Sequence, residues 1–191
     1  MNAKSQIDVR IAAGEWRKSM PDAVRLCRRA AKAALEGAAL EGAAVKGIAK
    51  NGAGATREVS VILTGDADIR ALNLRWRGKD KTTNVLAFPG ARSGVQSKTA
   101  APVLLGDVVL ALGALLAESA SQSKPPREHL AHLVVHGVLH LLGFDHIRPR
   151  DAKAMEAREA AILKTLGIAD PYLARKDRAR KVSGSSLRQK A

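Results

Sequence analysis

Apolar and polar residues alternate with a period of two in "IDVRIA" (7–12) and "REVSVILT" (57–64), and both stretches are rich in β-branched residues. That spacing sends successive side chains to opposite faces, so both are expected as strands. "TNVLAFP" (83–89) and "PVLLGDVVLA" (102–111) read as two more. In "DADIRALNLRWR" (66–77) the period changes: Ile69, Leu72 and Trp76 fall on one helical face behind aspartates suited to a helix start. Another helix is expected in "PPREHLAHLVVHGVLHLLG" (125–143), where prolines suit the first turn and Gly143 suits the stop. The last spans roughly 150–166 and puts Met155, Ile162, Leu163 and Leu166 on one stripe before Gly167. In a chain of 191 residues this mixture predicts a single α+β domain, a small mixed sheet of about four strands packed with helices.

Two stretches fit neither period. Within 34–55, Gly37, Gly42, Gly47 and Gly52 recur every five residues, and each glycine in a helix costs about 1 kcal/mol. A flexible Gly/Ala insertion is expected over about 37–56, with 30–36 ending the preceding helix. "GAGATR" follows no strand and opens no helix, which argues against a phosphate-cradling loop. From Ala174 onward, seven Lys or Arg stand against the single Asp177, with few apolar residues. The expected organisation is a domain over 1–170 and a basic, disordered tail over 171–191.

Lys and Arg outnumber Asp and Glu by 32 to 18, a net charge of +14. Such an excess suits a polyanionic partner, either nucleic acid or an anionic membrane surface. The lone Cys27 allows no intrachain disulfide and is expected as a small buried hydrophobe. No apolar run resembles a signal peptide or a membrane span, so a cytoplasmic protein without membrane contact is expected.

All five histidines lie between His129 and His146. At about 100° per residue, His129, His132, His136 and His140 share one helix face. His136 and His140 have the i, i+4 spacing that brings two imidazole nitrogens to one ion. Gly143 can end the helix in a left-handed cap and turn the chain back, which puts His146 within reach. The pattern H-x3-H-x2-G-x2-H thus predicts one divalent metal ion at a helix end, on His136, His140 and His146, with an open position as in catalytic sites. Three neutral ligands leave the ion's charge uncompensated, which lowers the pKa of a bound water toward about 7 and favours an anionic substrate such as a phosphodiester. His129 and His132 are expected to be structural or to stand behind the ligands, and Asp145 is a candidate to orient a ligand imidazole. Three imidazoles accept zinc, nickel, copper or iron.

The same histidine spacing serves the metzincin metalloproteases, where a glutamate general base follows the first histidine. Here that residue is Gly137, which has no side chain to move a proton. "HGVLHLLGFDH" (136–146), with "LNLRWRGKDKTTNVLAFP" (72–89) and "LLGDVVLA" (104–111), resembles the YbeY endoribonucleases, the rRNA maturation factors of bacteria, over about residues 57–167. The resemblance implies zinc on His136, His140 and His146 and a functional arginine at Arg77. It also implies single-strand-type cleavage near the 3′ end of small-subunit rRNA, a part in ribosome quality control, and small-subunit ribosomal proteins and an assembly GTPase as partners. Arg77, a fixed cation able to grip a phosphate, and His136 are the expected catalytic residues. Asn84 stands where the family often has Asp and Ala87 where it often has Ser, which leaves this strand without a carboxylate base or hydroxyl ligand. Two alternatives stay open: a noncatalytic ribosome-assembly factor with the metal as a staple, and a metallopeptidase drawing its base from elsewhere.

Overall fold

The computed structural model describes residues 5–39, 56–90 and 102–173. Residues 40–55 of the glycine-period stretch and the basic tail from 174 lie outside the described residues. One mixed sheet has the strand order β1-β2-β4-β3, from β1 (Ser5–Ile11), β2 (Arg57–Thr64), β3 (Val85–Pro89) and β4 (Val103–Ala111). β1 and β4 run parallel to β2, and β3 runs antiparallel to β4. Parallel neighbours need long crossovers. Helices α1 (Glu15–Ser19) and α2 (Ala23–Ala39) lie between β1 and β2, and α3 (Asp66–Arg77) with β3 lies between β2 and β4. Three further helices close the domain: α4 (Leu112–Ser121), α5 (Pro126–Leu141) and α6 (Pro149–Thr165).

The period of two decides which core each strand residue enters. Val59, Val61 and Leu63 of β2 and Val108 and Leu110 of β4 join the larger core with α2, α5 and α6. Val109 and Ala111 point the other way, into a smaller core with Ile69 of α3 and Leu86 of β3. α5 is buried almost all round, which is why it carries apolar residues on every side except the histidine face. Cys27 is fully buried in the larger core, and burial pushes its thiol up to about 12.

Three sequence expectations are corrected. α2 does not stop at Glu36 but continues through Gly37 to Ala39. A Cβ on Gly37 would sit 2.7 Å from Ile162 Cγ1, so this glycine permits close approach of α2 and α6. Trp76 lies on the same face of α3 as Ile69 but is not buried with it. It is 62% exposed and meets Phe88 of the edge strand β3 edge-on at 6.1 Å. Pro171 and Tyr172, assigned above to the tail, fold back onto the domain, where the Tyr172 hydroxyl bonds Glu159 of α6.

Candidate metal centre

α5 begins with Pro125 and Pro126, whose missing N–H groups fall where a helix has no partners to offer. It ends in a turn centred on Gly143, at φ 88°. The Gly143 N–H donates to His140 O at 2.9 Å and the Phe144 N–H to Leu139 O at 3.0 Å, the paired bonds of a left-handed helix cap. The same turn fixes two ligand candidates. His140 Nδ1–H donates to Phe144 O at 3.0 Å, and the Asp145 carboxylate accepts the His146 backbone N–H at 2.7 Å. Asp145 thus sets the backbone of His146.

The second support comes from α6. Glu159 is 1% exposed and accepts from His136 Nδ1 at 2.7 Å, from His132 Nε2 at 3.0 Å and from the Tyr172 hydroxyl. Burial alone would raise its carboxyl, but the bonds from His132, His136 and Tyr172 hold it at about 2. A fixed negative charge therefore stands behind His136 at neutral pH, and His132 braces that charge.

With both Nδ1 atoms engaged as donors, the Nε2 lone pairs of His136 and His140 face each other at 3.1 Å. Two neutral imidazoles so placed turn lone pair to lone pair, a repulsion relieved by a proton or a metal cation between them. Ligands about 2.0–2.1 Å from one tetrahedral ion stand roughly 3.3 Å apart, close to that separation. One ring nitrogen from each of His136, His140 and His146 lies within 4.8 Å of the others, so this triad could hold a metal ion. Burial, with its neighbours His136 and His146, lowers the His140 imidazole to about 4, keeping it in the neutral form that a ligand needs. His146 is exposed, so the site opens to solvent on one side.

A cleft of about 740 Å³ adjoins the triad, with His136, His132 and His129 along one wall. His129 is 3% exposed and pairs through Nε2 with Glu118 of α4 at 3.1 Å. Asn84 donates to the same carboxylate, while Ala87 packs against the larger core. Arg77 is exposed at the C-terminus of α3 and does not line this cleft. Gly137 faces β4: a Cβ there would lie 2.6 Å from Val108 Cγ1. The missing proteolytic glutamate thus has no space to occupy.

Sequence reasoning missed Glu159 and Glu118. Glu159 had a legible signal, since it interrupts the apolar stripe of Met155, Ile162 and Leu163 at helical spacing. Glu118 had none that marked a site, because Gln122 is an ordinary i, i+4 neighbour and its other partners are distant: Asn84, just before β3, and His129 of α5.

Fold and site together define a small α+β protein with a three-histidine centre at the end of its central helix. The endoribonuclease YbeY family model matches residues 23–167, and the chain belongs to that family. This is a family of nucleases, hydrolases that process rRNA. The endoribonuclease YbeY of Azorhizobium caulinodans is 45% identical over 169 residues, 87% of this chain and 96% of that protein. That of Paramagnetospirillum magneticum is 42% identical over 173 residues, 90% of this chain and 98% of that one. The Rhizorhabdus wittichii protein is 48% identical over 124 residues, covering 63% and 73%. The solution structure of TM1509 from Thermotoga maritima is similar over 91% of this chain and 93% of that one, at 20% identity and a TM-score of 0.47.

Proposed function

We propose that this protein is a zinc-dependent, single-strand-type endoribonuclease that matures the 3′ end of small-subunit rRNA and serves ribosome quality control in the cytoplasm. The observation that carries this reading is the convergence of the His136, His140 and His146 nitrogens, with the Nδ1 atoms of His136 and His140 tied to Glu159 and to Phe144 O. Zinc, when bound there, supplies Lewis acidity toward a phosphodiester. Residues of the chain do the rest. Glu159 orients His136, and the Phe144 carbonyl orients His140. Arg77, an exposed guanidinium at the end of α3, grips phosphate. The excess of 14 positive charges holds the RNA backbone. No described helix is long and apolar enough to cross a membrane. Small-subunit ribosomal proteins and an assembly GTPase are the expected partners.

Two features speak against the alternatives. A structural staple is closed on all sides, whereas His146 is exposed and a cleft adjoins His136. A peptidase of the metzincin kind needs a carboxylate at position 137, which Val108 excludes.

The test uses metal-stripped protein and the same protein restored with zinc, alongside His140→Ala and Arg77→Ala, on a small-subunit rRNA fragment and on casein. Restored wild type should cut the RNA and spare casein. His140→Ala should lose both metal and activity. Arg77→Ala should retain metal and a wild-type melting temperature while kcat/KM falls about 100-fold. Intact RNA with folded, zinc-loaded wild type refutes the nuclease, and cleaved casein revives the peptidase.

A further inference from the structure

The cleft beside His136 is built from unlike walls. Val85, Leu133, Pro171 and Tyr172 supply apolar surface, Lys124 brings a cation, and Glu118 of α4 with Asn84, just before β3, brings a polar cluster. The Glu118 carboxylate accepts from Asn84 Nδ2, from His129 Nε2 at 3.1 Å and from Gln122 Nε2 at 2.8 Å. Three donors from three separate segments fix its orientation while its side chain stays 33% exposed. Burial raises this carboxyl, but the bonds from Asn84 and His129 outweigh it, so the group is lowered and ionised at neutral pH.

A fixed anion in the path of an RNA strand is unfavourable against phosphate. It is favourable against the amino edge of a base, as when a carboxylate accepts from cytosine N4. The distance suits this. His129 and His136 are two turns apart on α5, roughly 10 Å along the axis, so the Glu118 end of the cleft is displaced from the histidine centre and would meet a part of the strand other than the reacting phosphate. The apolar residues of the cleft would cover the faces of a flat ring, and a cavity of about 740 Å³ is large enough for a nucleoside.

We propose that this cleft is a nucleobase subsite, in which Glu118, positioned by Asn84, Gln122 and His129, accepts a hydrogen bond from the exocyclic amine of an unpaired base adjacent to the scissile phosphate. The assignment rests on the endoribonuclease reading above and adds base preference to it. It requires a single-stranded substrate at this position, because a Watson–Crick partner would occupy the same amine.

The experiment deletes the amine from the RNA rather than from the protein. Single-stranded oligonucleotides carry, at one position at a time, inosine for guanosine, nebularine for adenosine, or 2-pyrimidinone riboside for cytidine. Binding is read by fluorescence anisotropy on full-length His140→Ala protein, which does not turn over, and cleavage by single-turnover assay on the zinc-loaded wild type. At one register beside the cut, amine deletion should weaken binding about tenfold and slow cleavage similarly, with no effect elsewhere. Adding Glu118→Met, of similar length but without an acceptor, should abolish that tenfold difference. Equal binding at every register, or a tenfold difference that survives in Glu118→Met, overturns the subsite. Should Glu118→Met fail to fold, the amine deletions on the unaltered cleft still decide it. RNA cut without register preference overturns the subsite alone. Absence of RNA cleavage and binding overturns the nuclease reading and the subsite with it.

Discussion

Glu159 offers the sharpest perturbation, because two substitutions there separate folding from metal binding. Its carboxylate is 1% exposed and receives His136 Nδ1, His132 Nε2 and the Tyr172 hydroxyl. Glu159→Ala takes the acceptor from His136 Nδ1 and the Tyr172 hydroxyl, both part-buried, and leaves His132 Nε2 only the Tyr172 oxygen at 3.2 Å. Removing one partner of a buried charged network costs roughly 3–5 kcal/mol, a large share of the 5–15 kcal/mol that holds a domain together. Glu159→Gln keeps the shape and an acceptor facing His136, so its cost to folding is about 1 kcal/mol. It removes the negative charge, however, and with it the added basicity of the His136 imidazole. Loss of such a group behind a ligand lowers metal affinity about 10–100-fold. The assay pairs urea unfolding of the metal-free proteins with zinc titration against a competing chelator. Expected is a large fall in unfolding midpoint for Ala, a small one for Gln, and weakened zinc binding for Gln. Zinc affinity equal to wild type in Glu159→Gln would refute the orienting role of the carboxylate. An unchanged midpoint in Glu159→Ala would refute the network itself.

Two further outcomes follow from packing and charge. Gly137→Ala places a methyl 2.6 Å from Val108 Cγ1 and should destabilise by about 1–3 kcal/mol, visible as a lowered melting temperature, and Gly137→Glu should not yield a peptidase. His129 is pushed below its ordinary value of 6.5 by burial, despite the Glu118 carboxylate beside it. The unfolded chain therefore binds more protons than the folded one just below that value, so stability is complete above about pH 6.5 and declines as pH falls. The lowered Glu118 adds loss in the same direction below its ordinary value of 4.5. Urea midpoints of metal-free protein from pH 8 to pH 4 measure this, and a flat profile would contradict it.

The sequence by itself determined what depends on neighbours along the chain. The period of two placed β2 on residues 57–64, and the altered period placed α3 on residues 66–77, as the structure has them. The i, i+4 histidines and the glycine turn are likewise local. Helix geometry sets the separation of His136 from His140, and a left-handed Gly143 sets the return of His146. Tertiary structure decided what stands around them. Glu159 reaches His136 across 23 residues, and Tyr172 and Glu118 meet the histidine face only because α6 and α4 pack beside α5. Gly37 could not be told from a helix breaker without Ile162 against it. Gly137 shows the division in one residue: its lack of a carboxylate was legible, but that no side chain fits there follows from Val108 of a strand nearly thirty residues away. Periodicity is a property of the local backbone, whereas contact between distant segments is set by how their apolar faces close on one another.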